Sequence, residues 1–238
     1  TMSSATATRT HPSPQAGAIV LAAIFVASLA TAQLTAAKVL AFELPLAIPL
    51  AGAELALPGA ALAYALTFLA SDCYTELYGR RAAQVLVNAA FAMNFLVLAL
   101  VWSTILAPAA PSSIDPDTFE LVLGASTNIV AGSLIAYLVS QNLDVVVFHG
   151  IKEATDGELL WLRNIASTAT SQFVDTVLFV SIAFWIVPQA VGIGPKLPGA
   201  VVVSLVVGQY LLKLLIAVLD TPFVYLVTGA IRRSEAGR

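Results

Sequence analysis

The stretch AQVLVNAAFAMNFLVLALVWSTILA, residues 83–107, holds no charged side chain. A bilayer core about 30 Å thick needs about 20 apolar residues per crossing helix, so this run is long enough to span it. Working outward with the same rule gives further runs at 17–40, 57–78, 121–148, 162–187 and 199–229. The expected fold is all-α: a polytopic membrane protein built as a bundle of six transmembrane helices. The second run is the weakest, because Asp72 and Glu76 interrupt it, and the sixth is the longest. Pro222 in the sixth run removes a helix hydrogen bond and invites a bend there.

Composition agrees with lipid as the main solvent. Hydrophobic residues make up 59% of the chain and charged residues 11%, against about 45–50% and about 25% in ordinary soluble domains. A net charge of -3 with no basic, aromatic-interleaved patch argues against nucleic acid as a partner. The single cysteine, Cys73, excludes an intrachain disulfide, and His11 and His149 do not make a metal set. No Gly-x-x-x-x-Gly-Lys run is present, so no nucleotide-hydrolysing loop and no cofactor are expected.

Residues 1–16 are Ser, Thr and Pro-rich and read as a disordered N-terminal tail, followed by a first helix too long for a signal-peptide core. A single membrane domain is expected over 17–230, with a basic cytoplasmic tail at 231–238. Orientation follows from Lys and Arg in the short connections. With the N-terminus inside, the inner segments hold Arg9, Arg80, Arg81, Lys152, Arg163, Arg232, Arg233 and Arg238, and the outer ones only Lys196. That asymmetry predicts N-in, C-in. Prolines and glycines at 45, 49, 52 and 58, and again at 108–116 and 188–198, read as outer turns.

Function is sought in the polar residues that violate the hydropathy. A charge at a helix centre costs about 2.5–3.5 kcal/mol on insertion scales, so it normally faces a bundle interior or a wet cavity. Asp72 and Glu76 stand at i,i+4 on the inner end of the second helix, on one face. The bland alternative is an acidic pair bonded to Arg80 or Arg81. The fourth helix carries a stripe of Gly132, Ala136 and Ser140 ending in Asp144, with Gln141 on its flank. Gly132 and Ala136 are read as packing residues that let backbones approach.

The fifth helix places Asn164, Thr168, Gln172 and Asp175 on one broad face. Ser and Thr bonding back to helix carbonyls would explain the hydroxyls, but not a mid-span aspartate. On the sixth helix Gln209, Lys213 and Asp220 share a face, and an intramembrane lysine calls for a carboxylate, either Asp220 or one on another helix such as Asp175. Gln33 and Lys38 on the first helix are weaker signals, Lys38 being free to snorkel outward. Trp102, Trp161 and Trp185 fit an interfacial belt.

A short repeat joins the fourth and fifth helices. Ser140-Gln141-x-x-Asp144-x-x-x-Phe148 recurs 31 residues later as Ser171-Gln172-x-x-Asp175-x-x-x-Phe179. On the expected topology the two copies run in opposite directions, an arrangement many transporters build around a central site.

Four stretches together carry a resemblance: LTFLASDCYTELYGRRAA, with its S-D-x-x-x-E-x-Y-G core at Ser71–Gly79, AYLVSQNLDVVVFHGIK, LWLRNIASTATSQFVDTVLFVSIAFW and KLLIAVLDTPFVYL. In this order they resemble the queuosine-precursor transporter family, also called vitamin-uptake-like transporters. The resemblance implies import of a 7-deazaguanine, such as the 7-cyano or 7-aminomethyl precursor used in transfer RNA modification, across the inner or plasma membrane. The residues are compatible with that cargo: a guanine-like edge offers N–H donors to a carboxylate and acceptors to amide or ammonium donors.

The sequence reading therefore assigns substrate binding to Gln141, Asp144, Asn164, Gln172, Asp175, Lys213 and Asp220, and an inner mouth or gate to Asp72, Glu76 and Arg163. Partners are the small-molecule cargo and the bilayer, with a homo-oligomer and an energising partner left open. The rival within membrane carriers is a capture subunit for a vitamin or nucleobase, docking on a separate ATP-driven module. A distant rival is an intramembrane enzyme using Asp144 and Asp175 as an acid/base pair. A scaffold would leave Asp175 and Lys213 unexplained.

Overall fold

In lipid no water is available to satisfy backbone N–H and C=O groups, so apolar runs close their hydrogen bonds within the segment and become helices. The computed structural model describes residues 16–48, 51–156, 158–194 and 196–236, with the side chains at 160, 161, 163, 164 and 234–236 outside that description. The expected tail at 1–16 falls outside it up to residue 15. Helix α1 spans Ala16–Thr35, α2 Ala61–Tyr78, α3 Arg80–Ile105, α4 Pro116–Gly124, α5 Ser126–Ala154, α6 Leu160–Ser181, α7 Val187–Ala190 and α8 Gly199–Ala236. Between α6 and α7 lies one π-helical turn, Ile182–Ile186. The chain is a multi-pass membrane protein. Among the described residues, five helical segments are long and apolar enough to cross a bilayer: α1, α3, the α4–α5 pair, the α6–α7 stretch and α8. On α3 Phe95, Leu96 and Leu100 each stay more than half exposed, which in this setting is a lipid-facing surface.

The chain is not wholly helical, and this corrects the sequence reading. Residues expected at the end of the first span and as outer turns form an antiparallel hairpin, β1 Val39–Ile48 and β2 Gly52–Pro58. Phe42 pairs with Leu55 and Glu43 with Glu54, with an irregularity before Ile48 meets Gly52. Its edge does not hang free. Ser204 of α8 accepts from Ala56 N–H at 3.0 Å and donates to the Glu54 carbonyl at 3.1 Å, standing where a third strand would. Gly208, one turn on, lets α8 lie against the Ala56 carbonyl, where any Cβ would collide. The first span is thus shorter than 17–40, and helix α2 starts later than 57.

The fourth expected span, 121–148, is the middle of a longer unit. Asp115 caps α4, accepting from Thr118 N–H at 2.9 Å and Thr118 Oγ1 at 2.8 Å, with Pro116 in the first turn. Those two donors hold its carboxyl below the usual range. The α5–α6 connection is tight, with Asp156 and Leu159 both at positive φ, and it returns α6 antiparallel along α5. Gly132 makes their close approach: a Cβ there would sit 3.0 Å from Ala183 Cβ and 3.1 Å from the Phe179 carbonyl. The sixth helix outruns its expected 199–229, continuing through Pro222 to Ala236, so Arg232 and Arg233 sit on helix rather than in a separate tail. Ala32, Ala36, Ala56, Ala136, Val180 and Leu205 form the main core, where α1, the hairpin, α5, α6 and α8 meet.

Candidate functional site

The 31-residue repeat becomes a piece of geometry. Because α5 and α6 are antiparallel, each copy's serine faces the other copy's aspartate: Ser140 Oγ lies 3.2 Å from Asp175 Oδ1, and Ser171 Oγ lies 3.2 Å from Asp144 Oδ1. Each hydroxyl also lies near a carbonyl of its own helix, Tyr137 for Ser140 at 3.2 Å and Thr168 for Ser171 at 3.1 Å. Tyr137 and Thr168 are themselves 31 residues apart. The two motifs are therefore related by a local two-fold lying between the helices.

Helix α8 breaks that symmetry. Lys213 Nζ lies 2.6 Å from Asp175 Oδ2, with the side chains 4% and 18% exposed. The lysine's partner is thus on another helix, and Asp220 is not it. A pair this sheltered is stable only with good geometry and satisfied lone pairs; Ser140 supplies the second bond to Asp175, and the Tyr64 ring of α2 lies 5.7 Å from the ammonium. Among the described residues no Lys or Arg pairs with Asp144.

Two cavities flank the ion pair. One, of about 340 Å³, is bordered by Gln33 of α1, Tyr64 of α2, Gln141 of α5, Gln172 and Asp175 of α6 and Gln209 of α8. Phe91 and Tyr137, stacked with centroids 4.6 Å apart, add an aromatic wall. The other, of about 500 Å³, is bordered by Asp72, Thr168, Gln172, Tyr210, Lys213 and Asp220. Gln172 and Phe68 border both, Asp175 only the first and Lys213 only the second. The ion pair, with Gln172 and Phe68, stands between them.

A family described as "Putative vitamin uptake transporter" matches residues 58–227. The chain is 31% identical over 173 residues to the "Probable queuosine precursor transporter" of Bacillus subtilis (strain 168), covering 72% of each protein. It is 28% identical over 130 residues to the "Queuosine precursor transporter" of Escherichia coli (strain K12), covering 55% of this chain and 56% of that one. The chain belongs to this transporter family. It is a membrane transporter and not an enzyme. No solved structure matches it.

In this transporter the cavities gather part of the expected set. Gln141, Gln172 and Asp175 meet at the first cavity; Lys213, Asp220 and Asp72 meet at the second, where Asp72 is an electrostatic neighbour of Asp220. Asp144 borders neither and is engaged by Ser171. Glu76 also borders neither; its carboxylate takes Arg232 at 2.8 Å, not Arg80 or Arg81. Arg163 and Asn164 lie on α6, but their side chains fall outside the described residues. Gln33 and Gln209 were visible in the sequence without a binding role and prove to be buried on the first cavity. The available signal was a lone amide in an otherwise apolar helix for Gln33, and the one-turn spacing from Lys213 for Gln209.

Proposed function

We propose that this transporter imports a queuosine precursor of the 7-deazaguanine class, such as 7-cyano-7-deazaguanine or 7-aminomethyl-7-deazaguanine, across the cell membrane into the cytoplasm. The observation that carries the reading is the cavity of about 340 Å³, in which carboxamides and Asp175, held from behind by Lys213, converge among aromatic rings. Its size falls in the range of small-molecule sites, about 300–1,000 Å³, and its lining is mostly apolar with a few convergent polar groups. The names of the two relatives point to the same cargo.

Gln141, Gln172 and Asp175 hold the cargo in this reading, and Lys213 sets the position of Asp175. Asp220 and Asp72 receive it in the second cavity, with Asp144, Asn164, Glu76 and Arg163 along the inner route. The chain in this reading crosses six times with both termini inside, α2 being the crossing added to the five long apolar segments. Helix α2 runs parallel to α8, since Tyr64, Asp72 and Glu76 neighbour Lys213, Asp220 and Arg232 in turn. A helix that keeps pace with a spanning neighbour in this way is well placed to be the sixth span, despite Asp72 and Glu76.

The test is uptake of labelled 7-cyano-7-deazaguanine into proteoliposomes that contain only the purified chain, with and without an imposed pH gradient. Saturable uptake is expected. Binding without uptake would move the reading to a capture subunit that needs an ATP-driven module. Neither uptake nor thermal stabilisation by any 7-deazaguanine would remove the cargo class, because a ligand that binds the folded state raises its apparent stability.

A further inference from the structure

Buried polar atoms in folded proteins nearly always have a partner, and an orphan calls for a reason. Two such orphans belong to residues that line the same cavity: Gln33 Oε1 on α1 and Gln209 Oε1 on α8, in side chains 3% and 6% exposed. Ser133 Oγ lies 3.0 Å from the Val130 carbonyl, to which it donates, and 3.5 Å from Gln33 Nε2. With the amide nitrogen turned to Ser133, the Gln33 oxygen has no partner.

Asp175, the carboxylate on this cavity, already carries a bond on each oxygen. Asp175 is taken by Lys213 through one oxygen and by Ser140 through the other. Beside it stand two buried carboxamide oxygens without a partner, Gln33 Oε1 and Gln209 Oε1, on helices at opposite ends of the sequence. A carboxylate-bearing vitamin would meet oxygen lone pairs here; a neutral heterocycle with N–H groups on two edges would pair both. Tyr64, Phe68 and Phe91 on the same cavity offer ring faces to a planar molecule.

We infer that Gln33 and Gln209 are the specificity-determining acceptors of this transporter, each taking an N–H of the planar, guanine-like ring of the cargo through its otherwise unpaired Oε1. This rests on the proposed 7-deazaguanine reading and adds the residues that select for it. Of the cargo's donors, the 2-amino and ring N1–H groups lie on one edge and N9–H on another, which matches two separate acceptors.

The experiment is calorimetric binding to the full chain in lipid nanodiscs, with three probes: 7-cyano-7-deazaguanine, its 2-deamino analogue and its N9-methyl analogue. Wild type is compared with Gln33→Met and Gln209→Met, which keep side-chain length and delete the acceptor. Each variant should bind the parent probe about tenfold more weakly, the worth of one hydrogen bond. Each should also lose discrimination against one of the two analogues. The thermal midpoint of the unliganded variants should stay level or rise, because the substitution removes an orphan; a merely structural amide would lower it.

Unchanged affinity in both variants overturns the inference while leaving the cargo reading intact. Should a variant fail to fold, wild type alone decides, since equal affinity for all three probes also overturns it. Wild type that binds none of the probes overturns the cargo reading and this inference with it.

Discussion

The two copies of the Ser-Gln-x-x-Asp motif are the same five-residue pattern on two packed helices, with the same 3.2 Å serine–aspartate distance in each. Yet they end in different electrostatic states. Asp175 meets Lys213 from α8 and borders a cavity, whereas Asp144 has its serine and borders neither cavity. Two antiparallel helices alone would leave the motifs equivalent. A third helix makes one of them a buried ion pair, and the candidate site forms where the symmetry fails.

The strongest way to break this contrast is to remove one charge from the asymmetric copy. Asp175→Asn strands Lys213 in a sheltered position, and breaking a buried pair from one side costs about 3–5 kcal/mol. Uptake should be abolished, and the thermal midpoint should fall as well. Lys213→Met should do the same from the other side. The double variant Asp175→Asn/Lys213→Met should recover most of the stability but none of the uptake. If the double variant transports normally, the pair is only structural.

Next in size is the packing that brings the copies together. Gly132→Leu drives a side chain into Ala183 and the Phe179 carbonyl at the edge of the π-helical turn. Backbone cannot yield as a flexible side chain can, so a loss of about 1–3 kcal/mol or more is expected. Yield of folded, monodisperse protein in detergent is the measurement, and wild-type yield would mean that α5 and α6 are not clamped there.

How much of this was legible depended on how local the signal was. Hydropathy located the helices because each helix satisfies its backbone within itself. The repeat was legible because spacing survives folding: 31 residues along the chain became a two-fold across α5 and α6. The hairpin was not. Its strands are apolar and adjoin apolar helices, so Val39, Leu40 and Leu57 read as span ends, and Pro49 and Gly52 as simple turns. What fixes it there is Ser204, about 150 residues away. The partner of Lys213 was undecided between Asp220 and Asp175 for the same reason: the choice is made by how α6 packs on α8. Gln33 looked weak because α1 is apolar on every side and gives no face to read.

The symmetric partner supplies a milder perturbation. Asp144→Asn keeps the shape and an acceptor for Ser171, and strands no described cation. The expected cost is about 1 kcal/mol, the scale of one weakened hydrogen bond. Unlike Asp175→Asn, it should not be rescued by Lys213→Met. A loss of stability equal to that of Asp175→Asn, measured by thermal unfolding under identical lipid conditions, would show that the two copies are electrostatically alike after all.

The smallest effect is expected where an acid and a cation meet at a similar distance but in a different setting. Arg232 and Glu76 join α8 to α2 at 2.8 Å, much as Lys213 joins α8 to Asp175, yet their side chains are 60% and 55% exposed. Water screens such a pair and holding two long side chains costs entropy, so exposed bridges contribute about 0–1 kcal/mol. Arg232→Gln should therefore shift the thermal midpoint slightly, and the shift should shrink further in high salt as the Debye length contracts. Because Glu76 reaches neither cavity, affinity for the cargo should not change, while its uptake rate reports whether the inner mouth needs that bridge. A large, salt-insensitive loss of stability would mean that this end of α2 is buried in the working protein, as it would be beneath a second subunit.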